Sequence, residues 1–433
     1  MLGLTKKKTF IRNVAMVASG TALAQAIALA FAPVITRLYD PAQFGLFGSF
    51  MALAAVFSPI TALTYPIAIV LPKDDRDANG IAHLSLYIAL GLAVSVAIII
   101  ILVGDSILEI LELQTIQSYI LLLPLTMFFV AWLQVNQQWI IRNEQFQVKA
   151  KIAVLQSFIV NAAKSAIGMV NPLGVVLIVI ATLGSALHAV MLNFGLRKYN
   201  TSNFVEKGNS EFNSLMDLAR KYKDFPLYRA PLQLVNNVTV SIPILILSAF
   251  FGAAAAGFFV LSVKILNKPT EMIGKSVADV FYPHVANRAK AHRDITPLII
   301  KSTIVLFAIG LPFCIIIVVF GPVLFSFIFG QEWYVAGEYA RWISVWMLFV
   351  LVNKPSIRAI PVISKQKSFL IITIIARVIA IATMFAGYYL FKNDIVVVAA
   401  LCITTSLFDI FLIVYTIISS DWYDKNNVKS YSI

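Results

Sequence analysis

Apolar runs of about 20 residues recur along the whole chain, each followed by a short polar stretch. That length is what a helix needs to cross a bilayer. Twelve runs can be marked: 13–35, 44–71, 81–103, 116–140, 152–171 and 173–195, then 226–250, 254–282, 297–320, 335–358, 368–391 and 395–418. Asn171-Pro172 predicts a tight turn between the fifth and sixth. The pattern predicts an all-α polytopic membrane protein of twelve transmembrane helices. An N-terminal lobe (helices 1–6) covers 1–200, a cytoplasmic linker 201–225 and a C-terminal lobe (helices 7–12) 226–433.

Composition agrees. The 433 residues are 60% hydrophobic and 13% charged, with a mean hydropathy of +0.86. Soluble domains carry about 25% charged residues. Lys6-Lys7-Lys8 before an apolar run ending in ALAFA also resembles a secretory signal, but the run is long for one and a matching helix opens the second half.

The formal charge of +13 raises nucleic acid as a partner. No nucleic-acid-binding motif accompanies it, and the basic residues do not form one patch. With both termini inside, outer segments hold only Arg37, Arg341 and Lys392. Lys164, Arg229, Lys264, Lys268, Lys275, Lys354 and Arg377 fall within spans, and every other Lys and Arg lies inside. This asymmetry is the positive-inside rule, and it predicts cytoplasmic termini. Outer loops are short and lean acidic, leaving no room for an extracytoplasmic domain. Cys314 and Cys402 lie in apolar runs and read as core residues; the four histidines are scattered, so no metal or other cofactor is expected.

The halves share a pattern. ITRLYDPAQFGLF (35–47) aligns with LSAFFGAAAAGFF (247–259), so that Ala42 meets Ala254, Gly45 meets Gly257 and Phe47 meets Phe259. At the same separation Gln25 meets Asn237. Six helices per half leave the copies equally oriented. This predicts two pseudo-symmetric lobes about an axis along the membrane normal, with a pathway between them.

Charges inside the spans carry the candidate chemistry. At 100° per residue, Lys264, Lys268, Glu271, Lys275 and Asp279 fall within about an 80° arc of one helix. Lys264 lies about 15 Å from the start of its span, near mid-bilayer. A charge there costs about 2.5–3.5 kcal/mol unless it faces protein or water. Pairing along the helix accounts for the lower part of the stripe, where Lys268–Glu271 are spaced i,i+3 and Lys275–Asp279 i,i+4. Lys264 has no acidic neighbour on its own helix. Lys164 and Arg377 lie deep in two other spans, and Arg229 enters the seventh ahead of Asn236 and Asn237. Lys354 and Arg358, near an inner helix end, read as snorkelling side chains. The intramembrane balance is basic, which suits a multiply anionic substrate such as a pyrophosphate. The candidate cavity residues are Lys164, Arg229, Asn236, Asn237, Lys264, Lys268 and Arg377. Glu271, Asp279 and Asp409, the acids in spans, are candidates for ion coupling. The stretches LQVNQQWIIRNEQ (133–145) and GPVLFSFIFGQEWYVAGEYARW (321–342) read as interfacial belts, the first also as a surface for sugar.

PVITRLYDPAQFGLFGSF (33–50), YPIAIVLP (65–72), YRAPLQLVNN (228–237), FFGAAAAGFFVLSVKILNKP (250–269) and GPVLFSFIFGQEWYVAGEYA (321–340) together resemble the polysaccharide transporter family. These are the Wzx-type lipid-linked oligosaccharide flippases of the multidrug/oligosaccharidyl-lipid/polysaccharide exporter superfamily. The resemblance implies a V-shaped, two-lobed exporter in a bacterial inner membrane. It implies a substrate, an undecaprenyl-pyrophosphate-linked oligosaccharide used for O-antigen, capsule or exopolysaccharide, moved by alternating access. Membrane lipid, and the polymerase and chain-length proteins of the pathway, are the implied partners. It also implies basic residues lining a central cavity, a position type that Lys164, Lys264 and Arg377 match. An ion-coupled multidrug antiporter of the same superfamily is the nearest alternative, and would favour acids over bases. A membrane glycosyltransferase or polymerase is a more distant one; the short outer loops and missing nucleophile or metal constellation speak for a non-enzyme.

Overall fold

The computed structural model describes residues 2–110, 114–200 and 214–429, and their side chains except those of 2–15, 110, 115, 197–200, 275, 276, 278–280 and 427–429. Helices follow one another as α1 Leu2–Leu38, α2 Pro41–Thr61, α3 Asp75–Ile110, α4 Leu122–Arg142, α5 Phe146–Gly168, α6 Gly174–Asn200 and α7 Leu215–Lys221. The chain continues through α8 Ala230–Phe251, α9 Ala253–Lys290, α10 Thr296–Phe329, α11 Tyr334–Val352, α12 Lys354–Ala359, α13 Gln366–Phe391 and α14 Asp394–Lys429. No strand occurs among the described residues. Apart from the short α7 and α12, these helices correspond one to one with the twelve predicted spans. Nine stretches among the described residues are long and apolar enough to cross a membrane. The remaining long helices, α4, α5 and α9, are diluted by polar residues, and two of them carry the candidate lysines Lys164, Lys264 and Lys268.

Boundaries moved where backbone chemistry intervened. The second span, expected to reach residue 71, stops at Thr61. Leu63 and Thr64 adopt left-handed backbone (φ 48° and 57°), and a 3₁₀ turn over Tyr65–Val70 follows. Neither residue favours that conformation; the Thr64 hydroxyl donates to the Phe225 carbonyl at 3.0 Å, which helps hold it. The polar stretch before the seventh span contains α7. Ser214 and Asp217 cap it reciprocally, and Leu218 packs among Tyr65, Ile69, Ala78 and Ile81. Tyr65 donates to the Ala219 carbonyl at 3.0 Å.

The chain forms two compact units, Met1–Ala256 and Gly257–Ile433. In the first, α1 packs along α5, α4 along α6, and α8 along α2. Gly20 permits the α1–α5 contact, since a Cβ there would stand 2.4 Å from that of Ala150. Polar bonds tie the helices: Ser157 to the Ala24 carbonyl (2.7 Å), Thr126 to Thr182 (2.7 Å, buried) and the Asn136 amide to the Ala189 carbonyl (2.8 Å). Interhelical bonds of this kind average about 0.6 kcal/mol in membranes. In the second unit α10 packs against α11, and α14 against α11 and α13. At the α10–α11 crossing, a Cβ on Gly337 would lie 2.3 Å from Pro322 Cα. Ser262 of α9 donates to the Ala336 carbonyl at 2.7 Å.

Helix starts keep the separation seen in the sequence. α2 and α9 begin at 41 and 253, α4 and α11 at 122 and 334, both 212 apart. α5 and α13 begin at 146 and 366, α6 and α14 at 174 and 394, both 220 apart. Different residues make the first matched break. Asp40 caps α2 by accepting from the Gln43 amide at 2.7 Å, whereas Gly252, at φ 86°, turns the chain between α8 and α9.

Candidate functional site

In the first unit the central candidate is Lys164 on α5. One turn later, Gly168 leaves room for the Tyr39 ring; a Cβ at 168 would stand 2.6 Å from Tyr39 Cε2. Tyr39 is fully buried and donates to the Lys164 carbonyl at 3.1 Å. The Lys164 ammonium lies 4.7 Å from the centre of the Phe47 ring of α2. An aromatic face attracts a cation by about 0.5–2 kcal/mol without neutralising it. The backbone and the head of Lys164 are therefore both positioned. Phe47 was visible in the sequence only as a repeated position.

The candidates on α8 separate. Arg229 ends a π-helical turn over Phe225–Arg229 and is exposed, as is Asn236. Asn237 donates its amide to the Ala55 carbonyl of α2 at 2.7 Å, so it joins two helices.

In the second unit, α9 carries Lys264 and Lys268, both half-buried and near enough for their charges to act on each other. Lys268 is 3.7 Å from Glu271, the i,i+3 pair expected from spacing. Asp279 and Lys275 have side chains outside the described residues. Asp409 of α14 accepts from the Asn353 amide at 2.8 Å. The positive charges of Arg377 on α13 and Lys354 on α12 bear on the same carboxylate. Lys354 does not merely snorkel. Its aliphatic stem crosses α9 at Gly274, where a Cβ would lie 3.0 Å from Lys354 Cε. Asn353 is 1% exposed, and among the described residues its Oδ1 and the buried Ser356 hydroxyl have no hydrogen-bond partner. The second unit thus gathers Asn353, Lys354, Arg377 and Asp409 from three helices and the α11–α12 junction. Asn353 was missed in the sequence because an amide at a span's end carries no distinguishing spacing.

The two belt segments serve packing. In 133–145, Asn136 is buried in its α6 bond and Gln134 donates to Ser58 at 3.2 Å. Arg142 lies over Trp139 and clamps the chain ahead of α3. It donates to the carbonyls of Ile69 (3.0 Å) and Pro72 (2.7 Å) and to Asp75 (2.8 Å). In 321–342, Trp333 is fully buried, its ring meeting that of Phe258 edge-on at 6.1 Å, and Tyr339 meets the same Phe258 ring edge-on at 5.9 Å. No cluster of His, Cys, Asp and Glu able to hold a metal occurs among the described residues. Cys314 and Cys402 are free and buried.

Residues 34–338 match the model of a family described as polysaccharide biosynthesis protein. No curated protein sequence matches the chain. Among solved structures, the lipid II flippase MurJ in an inward closed conformation is similar, with TM-score 0.68 at 12% identity, covering 93% of this chain and 87% of that one. An inward-facing multidrug resistance MATE family transporter of the MOP superfamily gives TM-score 0.60 at 15% identity, over 95% and 96% of the two chains. A MOP superfamily transporter from Pyrococcus furiosus, described as having a binding pocket of reverse polarity, gives 0.56 at 15% identity, over 97% and 96%. At these identities the likeness establishes the fold.

Proposed function

The chain belongs to the polysaccharide biosynthesis protein family, and we propose that within it this protein is a flippase. Its substrate is an undecaprenyl-pyrophosphate-linked oligosaccharide repeat unit, moved from the inner to the outer leaflet of a bacterial inner membrane for O-antigen, capsule or exopolysaccharide assembly. Both termini are cytoplasmic. Transport proceeds by alternating access, and no covalent chemistry is performed.

One observation carries the reading: basic groups sit on the long helices of both compact units. Lys164 stands over an aromatic ring in the first; Lys264, Lys354 and Arg377 stand in the second. Each unit offers a diphosphate its own cations; in the first, the exposed Arg229 and Asn236 of α8 are candidates for the sugar, and in the second, Lys268. The similarity to a lipid II flippase accords with a lipid-linked substrate. Asp409 is the preferred coupling acid. It sits among titratable and amide groups on neighbouring helices, and the adjoining Asn353 and Ser356 oxygens have no partner among the described residues. Glu271, paired with Lys268, and Asp279 are secondary.

The test is complementation of a deletion strain, with lipid-linked sugar assayed on each membrane face. The Lys164→Ala, Lys264→Ala double variant, at normal protein level, is expected to lower surface polysaccharide at least tenfold while substrate accumulates inside. Full export by that variant would remove the assignment. The similarity to multidrug transporters supports one competing reading: drug efflux that survives in the double variant but fails in Asp409→Asn would favour an antiporter.

A further inference from the structure

A groove of about 590 Å³ runs between α1 and α5 on the outer surface of the first unit. Its floor is the Gly20–Ala150 contact, where the missing side chain lets the helix backbones approach. Leu23, Ile27, Val154, Leu155 and Phe158 form its walls. Leu23, Leu155 and Phe158 are each about half exposed, 51–53%. Phe31 meets Phe158 edge-on at 5.9 Å, adding a second ring at the far end. The near end is polar, with the exposed side chains of Gln147 and Lys151.

We propose that this groove binds one acyl chain of an anionic glycerophospholipid from the inner leaflet, with its phosphate at Lys151. Dimensions and charge together select this occupant. From Gln147 to Phe158 the groove spans about 16 Å along α5 at 1.5 Å per residue. That matches about 15 Å, half the hydrocarbon thickness of a bilayer. An acyl chain of one leaflet therefore fits the length of the trough, with Lys151 one turn in from its polar end. A polyprenyl tail is much longer than the trough. The basic end lies at the start of α5, on the face that positive-inside asymmetry places toward the cytoplasm, where anionic lipid is attracted to Lys and Arg. The site is separate from Lys164, which lies two turns beyond Phe158 and against α2, and it does not depend on the flippase reading.

Purified protein in detergent is offered equimolar dioleoyl phosphatidylglycerol and phosphatidylcholine, and retained lipid is counted by native mass spectrometry. Wild type is expected to retain phosphatidylglycerol preferentially. Lys151→Ala should lower that retention about fivefold, the factor one basic residue commands at an anionic surface, and leave phosphatidylcholine unchanged. Leu155→Trp, which fills the trough, should lower both at this site. The exposed Lys151 variant carries the test if the tryptophan variant fails to fold. Unchanged phosphatidylglycerol in Lys151→Ala would overturn the site. So would an equal loss in Lys425→Ala, a lysine on α14. Undecaprenyl phosphate that displaces phosphatidylglycerol and alone responds to Lys151→Ala would overturn the occupant.

Discussion

Removing the carboxylate of Asp424 should unseat the start of α10. Asp424 lies near the end of α14 and is 8% exposed. Its Oδ2 accepts from the Thr296 amide at 2.9 Å and from the Thr296 hydroxyl at 2.7 Å, and both oxygens accept from the Ile295 amide at 3.1 Å. α10 has no cap of its own, because Ile295 precedes it. A carboxylate there also complements the positive helix end. Asp424→Ala leaves two backbone donors to find water, while the Thr296 hydroxyl keeps the Ser420 hydroxyl as acceptor at 2.9 Å. Loss of a cap costs about 0.5–2 kcal/mol and each buried orphan about 1–3. The groove beside Thr296 and Asp424 admits water, so the expected total is the lower part of that sum, about 2–4 kcal/mol. Asp424→Asn keeps one oxygen acceptor and loses the charge, for about 1 kcal/mol. Reversible unfolding in SDS measures both, and proteolysis between residues 290 and 296 reports local opening. The expected order is wild type, Asn, Ala. Equal effects of Asn and Ala, or an Ala variant within about 0.5 kcal/mol of wild type, would refute the capping account.

Gly337→Ala brings a methyl to 2.3 Å from Pro322 Cα and should cost about 3 kcal/mol by forcing α10 and α11 apart, seen as loss of monodisperse protein on gel filtration after mild heating. Phe47→Leu keeps an apolar contact but removes the ring face over Lys164; export should fall several-fold at unchanged protein level, and Phe47→Tyr should restore it. Arg142→Ala frees the carbonyls of Ile69 and Pro72 and should destabilise by about 2 kcal/mol, with faster hydrogen exchange confined to residues 65–75; uniform exchange would contradict the clamp.

Much of the fold was legible because apolar length and loop charge act locally. Every predicted span has its helix, and the half-chain repeat reappears as helix starts 212 residues apart. What escaped depends on backbone conformation or on a distant partner. Nothing in LTYP (63–66) announces two left-handed residues, since their cost is met by contacts with Phe225 and Ala219, more than 150 positions away. α7 is too short to show periodicity against a polar background. The candidate site was half legible. A lysine deep in an apolar run declares itself, and so did the Lys268–Glu271 spacing. Asn353 did not, because its meaning comes from Asp409, 56 residues later in sequence. The enclosure of Trp333 escaped too, because it comes from packing around Phe258, whose ring also meets Tyr339.

The change in helix spacing from 212 to 220 residues has a location. Between α4 and α5 the chain needs only residues 143–145, whereas between α11 and α13 it uses 353–365 and inserts α12. The added segment brings Lys354 to Asp409, at the position matched in the first half by Ala189, whose carbonyl Asn136 occupies. The halves are therefore not interchangeable. A chimera built from two first halves would keep its helices yet place Ala189 where Asp409 stands, and so lose whatever work that carboxylate does.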